Sequence, residues 1–290
     1  MAAASITRLI ASERLPGDYA GIVERHWAPL AARIANMPRP AGRGLLVAVS
    51  GAQGSGKSTL CLILETLLQS RHGLRAATLS LDDCYLTKAE RQALACAVHP
   101  LLATRGVPGT HDTGLAERTI DALLTGRGPV AVPRFDKAID DRVPESRWPV
   151  IDAPVDVLLF EGWCVGATPE TAAALAVPVN ALEMQEDSDG GWRATVNAAL
   201  AGPYARLFDR RDLLIMLQPP GFAAVLGWRQ LQETKLRART GGGMTDAEVA
   251  RFVMHYERLT RHLLRTLPAA ADVVVAVDAG HGIAAVRWRD

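Results

Sequence analysis

The hydrophobic positions of the chain follow two patterns that alternate along the sequence. Short, continuous apolar runs, typical of strands that are buried on both faces, lie at residues 45–49, 76–81, 155–160, 213–217 and 273–277. Most of the segments between them carry apolar residues at helical spacing, whereas residues 133–154 are polar and interrupted by prolines. Strands that alternate with helices indicate right-handed βαβ units. The sequence therefore predicts an α/β fold with a parallel five-stranded sheet flanked by helices.

Two helical regions lie outside this strand pattern. Apolar residues recur at helical spacing over residues 19–37, before a break rich in proline and glycine, which predicts an N-terminal helical extension (1–40) and a main domain (41–290). Between the last two predicted strands, the basic helical segment 228–239 is followed by three glycines and a second helix. Positive charge on a hinged helix is suited to a lid over an anionic ligand.

The loop after the first predicted strand has the pattern of a phosphate-binding loop. Residues 51–59 read GAQGSGKST and match G-x-x-x-x-G-K-[ST], with a strand before and a helix after. Such a loop holds ATP by its amides, its lysine contacts the β- and γ-phosphates, and its serine ligates Mg²⁺. A turn that merely joins strand to helix is the alternative, but the complete context favours a P-loop NTPase fold. The predicted nucleotide-binding residues are Gly51, Gln53, Gly54, Ser55, Gly56, Lys57, Ser58 and Thr59 in the loop, and Arg229, Lys235 and Arg237 on the lid.

Acidic residues end two of the predicted strands. Asp82 follows the second strand and Glu161 ends the third. Parallel strands place their carboxyl ends at one edge of the sheet, so both should lie near the phosphate-binding loop. We expect Glu161 at the metal and Asp82 at the acceptor, whose hydroxyl proton it would take. A helix N-cap role for Asp82 and Asp83 is the alternative. The candidate catalytic residues are Lys57, Asp82 and Glu161, and the candidate metal ligands are Ser58, Asp82 and Glu161.

Four separated motifs resemble one known family. Residues 80–85 (SLDDCY), 105–112 (RGVPGTHD), 133–137 (PRFDK) and 160–163 (FEGW) are similar to the plant-type D-glycerate 3-kinase family. That family belongs to the P-loop kinase group that includes uridine kinase, phosphoribulokinase and bacterial pantothenate kinase. The resemblance extends from about residue 45 to the C-terminus.

The resemblance implies an activity and an acceptor. The activity would be ATP- and Mg²⁺-dependent phosphorylation of D-glycerate to 3-phosphoglycerate, with Asp82 as the acceptor-side carboxylate. A carboxylate-bearing acceptor needs cationic partners, for which arginine is well suited. A related kinase acting on pantothenate, a nucleoside or a sugar phosphate remains an alternative, and a nucleotide-dependent switch is a more distant one. The predicted acceptor-binding residues are Asp82, Asp83, Tyr85, His111, Asp112, Arg134, Lys137 and Arg142.

The composition narrows the class of protein further. Acidic and basic residues are interspersed and the net charge is +1, which argues against a nucleic-acid-binding surface. The apolar runs are too short for a membrane-spanning helix, and the first residues do not form a secretory signal. The four cysteines show no CxxC pair, so we expect reduced thiols and a cytoplasmic location. The sequence leaves the oligomeric state open.

Overall fold

The computed structural model describes residues 2–240 and 243–289, with the side chains of these residues apart from 2–4, 235, 236 and 238–240. Short 3₁₀ or π turns occur at Val23–Trp27, Leu81–Cys84, Pro100–Ala103, Glu145–Arg147 and Leu200–Tyr204. The α-helices are α1 (Ala2–Ser12), α2 (Tyr19–Ile22), α3 (Ala28–Ala35), α4 (Lys57–His72), α5 (Lys88–Ala97), α6 (Thr113–Thr125), α7 (Ala172–Leu175), α8 (Ala181–Glu186), α9 (Gly191–Ala199), α10 (Ala205–Phe208), α11 (Phe222–Thr240) and α12 (Asp246–Ala270). The strands are β1 (Leu45–Gly51), β2 (Ala76–Ser80), β3 (Gly128–Ala131), β4 (Phe135–Asp136), β5 (Asp141–Arg142), β6 (Val150–Ala153), β7 (Val157–Gly162), β8 (Leu213–Gln218), β9 (Val273–Val277) and β10 (Ile283–Trp288).

The central sheet confirms the predicted fold class. Its strand order is β10-β9-β8-β1-β7-β2, and all five predicted strands are present and parallel to one another. A sixth strand, β10, was not predicted; it pairs antiparallel with β9 at the edge of the sheet. Residues in β10 are only partly buried, so it lacks the continuous apolar run of a central strand.

Adjacent strands bring the predicted site segments to one edge of the sheet. Strand β7 lies between β1 and β2, and Ser50 pairs with Gly162 while Ser80 pairs with Glu161. The phosphate-binding loop, Glu161 and the turn after β2 therefore lie side by side. This agrees with the general position of ligand sites in open parallel sheets.

The N-terminal helices share a hydrophobic core with the sheet. Trp27, Leu30 and Ile34 are buried in the same cluster as Leu45 of β1 and Leu60 of α4. The helix predicted over 19–37 is interrupted by a π turn at Val23–Trp27, and α1, which was not predicted, also packs on α4. The N-terminal helices thus belong to the same hydrophobic core as β1 and α4.

The polar segment between β3 and β6 forms two small antiparallel pairs. Strand β3 pairs with β6, and β4 pairs with β5. The β4–β5 hairpin lies beside the turn after β2, and this contact brings its charged residues to the site edge. None of the described helices combines the length and the apolar character needed to cross a bilayer.

Candidate active site

The phosphate-binding loop joins β1 to α4 in a tight conformation. Gly54 and Gly56 have φ angles of +80° and +92°, in the left-handed region that favours glycine. A β-carbon at Gly54 would also lie only 2.8 Å from the β-carbon of Trp228 on α11. Lys57 begins α4, and its ammonium donates a hydrogen bond to the carbonyl of Ala52 at 3.3 Å. The loop therefore presents a helix N-terminus and a lysine to the same space.

The first turn of α4 contacts the carboxylate that ends β7. The Ser58 hydroxyl donates a hydrogen bond to Oε1 of Glu161 at 3.1 Å. Glu161 is 6% exposed, so its carboxylate is held in the interior of the site. A hydroxyl and a carboxylate are the hard oxygen donors that Mg²⁺ prefers, and Ser58 and Glu161 together fit such an ion.

Asp82 lies in the 3₁₀ turn directly after β2. Its Oδ1 accepts a hydrogen bond from the Tyr85 hydroxyl at 3.0 Å, and its Oδ2 lies 2.7 Å from the ammonium of Lys137. Burial raises the pKa of Asp82, but the charge and hydrogen bond of Lys137, with smaller contributions from other cations, more than offset it and hold the pKa at about 2. The carboxylate is therefore anionic at neutral pH.

Asp83 has a different set of contacts. Its Oδ2 pairs with Nη1 of Arg134 at 2.7 Å, and its Oδ1 accepts a hydrogen bond from the backbone amide of Phe135 at 3.0 Å. The N-cap of the next helix, α5, is Thr87, which forms a capping box with Glu90. The two aspartates therefore do not cap α5, and Asp83 holds strand β4 against the turn after β2.

Three of the predicted acceptor-binding residues lie behind Tyr85. The His111 ring stacks on Tyr85 with centroids 4.3 Å apart, and its Nδ1 lies 2.6 Å from the Tyr204 hydroxyl. Burial lowers the pKa of His111 to about 4, so it is neutral at pH 7. Arg142 donates to the Tyr85 carbonyl at 2.7 Å, and Asp112 caps α6. In the described structure these three side chains do not line the central cavity; they support the Asp82–Tyr85 turn.

Most of the other predicted residues line a cavity of about 510 Å³, but Gly51, Ser55, Gly56 and Thr59 of the phosphate-binding loop are not part of its lining. Its walls come from the phosphate-binding loop, the ends of β2 and β7, the β4–β5 hairpin, α11 and α12. Cationic side chains outnumber carboxylates in this lining, as a site for anionic ligands requires. The charged lining residues are Lys57, Arg105, Arg134, Lys137 and Arg229, with Asp82, Asp83 and Glu161.

The predicted lid cations have different surroundings. Arg229 on α11 lines the cavity and forms an ion pair with Glu233 at 2.7 Å. Arg237 instead donates hydrogen bonds to the carbonyl of Met244 and to Asp246. It therefore stabilises the connection between α11 and α12 and is not among the residues that line the cavity. The side chain of Lys235 lies outside the described residues.

Arg105 begins the 105–112 motif, which the family resemblance implies would line the acceptor pocket, whereas Trp163 and Tyr256 were not predicted as site residues. Tyr256 donates to the carbonyl of Arg105 at 3.0 Å, and the Trp163 indole donates to the carbonyl of Gly106 at 2.7 Å. A β-carbon at Gly106 would lie 2.1 Å from the Tyr256 hydroxyl, so this approach requires glycine. The motif around Trp163 was a usable signal, whereas Tyr256 is indistinguishable in sequence from a core residue of a long helix.

Comparisons with known proteins decide the family. No protein-family model matches the chain. It is 37% identical over 227 residues to the uncharacterized kinase mug58 of Schizosaccharomyces pombe, covering 76% of this chain and 80% of that protein. It is 34% identical over 252 residues to the chloroplastic D-glycerate 3-kinase of Arabidopsis thaliana, covering 81% of this chain. The chain belongs to the D-glycerate 3-kinase family of P-loop kinases.

A solved structure extends this family assignment to the fold. The D-glycerate 3-kinase of Cryptococcus neoformans matches this kinase with a TM-score of 0.73 and 25% identity, covering 94% of this chain and 100% of that one. The match to the Arabidopsis protein spans 52% of the length of that protein. The predicted family is confirmed, and the chain is an ATP-dependent P-loop kinase.

Proposed function

We propose that this kinase transfers the γ-phosphoryl group of ATP to a hydroxyl of D-glycerate and forms 3-phosphoglycerate. The observation that carries the proposal is that Asp82 faces the same cavity as Lys57 and Ser58 of the phosphate-binding loop. The acceptor assignment is supported by the names of the Arabidopsis and Cryptococcus relatives. The excess of cationic side chains in the cavity agrees with an acceptor that carries a carboxylate.

The phosphate side of the reaction is assigned to the loop and the first turn of α4. Lys57 would contact the β- and γ-phosphates, with the loop amides around them. Ser58 and Glu161 would hold Mg²⁺, which when bound neutralises phosphate charge and makes ADP a better leaving group. Arg229 would approach the phosphates from α11 and stabilise the charge that develops during transfer.

The acceptor side is assigned to Asp82 and the hairpin cations. A bond forms between the acceptor oxygen and the γ-phosphorus, and the bond from that phosphorus to the β–γ bridging oxygen breaks, leaving the electron pair on ADP. Asp82 takes the hydroxyl proton as the new bond forms. Arg134, Lys137 and Arg105 would bind the acceptor carboxylate, and Tyr85 would keep Asp82 in position.

The test is the release of ADP from MgATP with a panel of acceptors: D-glycerate, L-glycerate, pantothenate, uridine and ribulose 5-phosphate. We expect strong stimulation by D-glycerate alone, with 3-phosphoglycerate as the product. Stimulation by another compound would keep the phosphate side and replace the acceptor. A lack of stimulation by all five, with ATP still bound, would contradict the proposed acceptor and favour a nucleotide-dependent switch.

The cytoplasmic location inferred from the reduced cysteines remains a prediction.

A further inference from the structure

A second cavity lies at the opposite edge of the central sheet from the candidate active site. It has a volume of about 300 Å³ and is formed where β1, β2 and β7 begin, whereas the candidate active site lies where these strands end. At about 3.3 Å per residue, the six residues of β7 separate the two sites by about 20 Å. We call it the amino-end cavity; it is lined by residues 39, 42–44, 75, 124–127 and 154–156.

Arginine side chains from three separate connections converge on the amino-end cavity. Arg39 and Arg43 come from the loop between α3 and β1, Arg75 from the turn between α4 and β2, and Arg127 from the turn between α6 and β3. Asp156, just before β7, is the one carboxylate among the described lining residues. The cavity is therefore strongly basic, although the net charge of the whole chain is only +1.

Arg43 is paired within the protein and forms a wall of the cavity. Its two Nη atoms bond the carboxylate oxygens of Asp212 at 2.6 and 2.7 Å, and Nη1 also donates to the Gly44 carbonyl at 2.9 Å. Gly44 lies directly on the turn between β6 and β7, where a β-carbon would be 2.2 Å from the carbonyl oxygen of Val155. The charge of Arg43 is thus cancelled, and the loop that carries it is packed closely against its neighbour.

The other three guanidinium groups keep donors that the protein does not use. Nη1 of Arg39 and Nε of Arg75 lie 3.7 and 4.0 Å from the Asp156 carboxylate, beyond hydrogen-bonding distance. That carboxylate accepts a hydrogen bond from the backbone amide of Arg75 at 2.8 Å instead. Arg127 has neither an ion pair nor a side-chain hydrogen bond with any residue that the structure describes. Three cations facing one carboxylate leave an excess of two positive charges in the cavity.

We propose that the amino-end cavity is a second anion-binding site, which takes a small, soluble phosphate-bearing compound such as a phosphate monoester. A phosphate monoester carries close to two negative charges at neutral pH, which matches the excess positive charge of the cavity. Guanidinium groups donate paired hydrogen bonds to phosphate oxygens, and three of them on different connections suit a tetrahedral anion. None of the exposed large hydrophobic residues of the described chain lines the cavity, so an acyl chain would find no apolar surface beside it.

This site is distinct from the one proposed for phosphoryl transfer. The two cavities share no lining residue among those that the structure describes. A phosphate-bearing compound can therefore bind at the amino ends of the strands without competing with ATP or with the acceptor. The inference does not depend on the identity of the acceptor, so the two proposals can fail separately.

The first test is equilibrium dialysis of the full chain against radiolabelled inorganic phosphate. Magnesium and a non-hydrolysable ATP analogue fill the catalytic site, and chloride keeps the ionic strength constant. We expect the wild type to bind phosphate and Arg127→Ala to raise the Kd about tenfold, because charge-assisted hydrogen bonds are lost. The matched control Arg147→Ala, which removes an exposed arginine outside both cavities, should keep the wild-type Kd.

Three results of the dialysis would overturn the proposal: no binding by the wild type, an unchanged Kd in Arg127→Ala, or an equal rise in both variants. Thermal unfolding of the two variants checks that the fold is intact. Because Arg127 is exposed and has no partner among the described residues, we expect its removal to leave the unfolding temperature unchanged.

The second test locates the bound phosphate in the wild type and needs no variant. Phenylglyoxal modifies accessible arginines, and peptide mass spectrometry gives the extent of modification at each one. With the ATP analogue present, inorganic phosphate should slow the modification of Arg39, Arg75 and Arg127 and leave that of Arg147 unaffected. Equal protection of Arg147 would show nonspecific binding, and protection confined to Arg134 would place the phosphate in the catalytic cavity. Either result would contradict the proposed site.

A third measurement separates a soluble ligand from a lipid headgroup. We expect that vesicles of phosphatidylcholine with phosphatidic acid do not sediment the wild type, because the cavity has no apolar surface beside it. Sedimentation that is abolished in Arg127→Ala would place a lipid phosphate in the cavity and overturn the assignment of a soluble ligand.

Discussion

At the scale of single residues, Lys57 is expected to be important for catalysis but not for the stability of the fold. Its ammonium lines the cavity, and its hydrogen bond to Ala52 is long at 3.3 Å. Lys57→Ala removes a positive charge from the phosphate site, so we expect kcat to fall by about 10³-fold. The free energy of unfolding should change by less than about 0.5 kcal/mol, because little packing is lost. Steady-state ADP release and urea unfolding measure the two effects, with Lys88→Ala as the control. Near-normal turnover would contradict the phosphate-site assignment.

Asp82 links the site to the pH dependence of stability. Its pKa is lowered from 3.8 to about 2 in the folded protein, so the native contacts of the carboxylate stabilise the fold above pH 4. That contribution is lost as the pH falls from about 4 to about 2. We therefore expect the free energy of unfolding of the wild type to exceed that of Asp82→Asn by more at pH 6 than at pH 3. Urea titrations at the two pH values measure the difference.

The catalytic activity of Asp82→Asn is measured as a control for the stability experiment. Asp82→Asn should bind ATP normally and transfer phosphate weakly, because an amide cannot take the acceptor proton. A stability difference that does not change with pH would show that Asp82 is not held ionised by Lys137. Full activity would assign the base to another group.

The residues that were predictable from sequence are those tied to a strand end or to the phosphate-binding loop. Asp82 and Glu161 directly follow or end buried strands, and the parallel sheet fixes where strand ends meet. His111 and Arg142 lie outside the predicted strands and helices, so the sequence does not indicate which way their side chains point. His111 is placed behind Tyr85 by a backbone bridge between residues 85 and 111, and Arg142 by its hydrogen bonds to the Tyr85 carbonyl, and neither contact is visible in a local sequence pattern.

At the scale of elements, the β4–β5 hairpin depends on Asp83 for its position. Asp83 bonds both the Arg134 guanidinium and the Phe135 amide. Asp83→Ala should loosen the hairpin that carries Lys137, and a small displacement of binding groups has a large kinetic effect. We expect KM for the acceptor to rise about tenfold and KM for ATP to stay unchanged.

Initial-rate kinetics with each substrate varied in turn measure this effect. Asp152→Ala, which removes an exposed carboxylate of the neighbouring strand β6, is the matched control and should leave both constants unchanged. If Asp83→Ala raised both constants equally, Asp83 would support the whole site and not the hairpin alone.

The elements themselves were predictable in proportion to their burial. The three central parallel strands, β1, β7 and β8, are almost completely buried, so each reads as a nearly continuous apolar run. Strand β10 and the short pairs β3–β6 and β4–β5 are partly exposed, and their pairing is decided by contacts with distant parts of the chain. No strand was therefore predicted in the polar segment 133–154.

At the scale of the whole molecule, the N-terminal helices bear on how the chain folds. The sequence suggested a separate extension (1–40), yet Trp27 is 1% exposed and is packed in the cluster that contains β1 and α4. We propose that this segment folds together with the kinase core. The pattern of residues 19–37 indicated an amphipathic helix but not its partner, because packing between distant segments is not encoded locally.

Trp27→Ala tests this proposal. The substitution leaves a large cavity between the N-terminal helices and α4, so we expect the free energy of unfolding to fall by about 3–5 kcal/mol. Because the core is shared, unfolding should remain a single transition, with loss of kinase activity at the same urea concentration as loss of helical signal. Arg25→Ala, which changes an exposed neighbour, should leave the midpoint unchanged. If Trp27→Ala instead produced an early transition with full kinase activity remaining after it, the N-terminal helices would be an independent unit and the predicted boundary near residue 40 would stand.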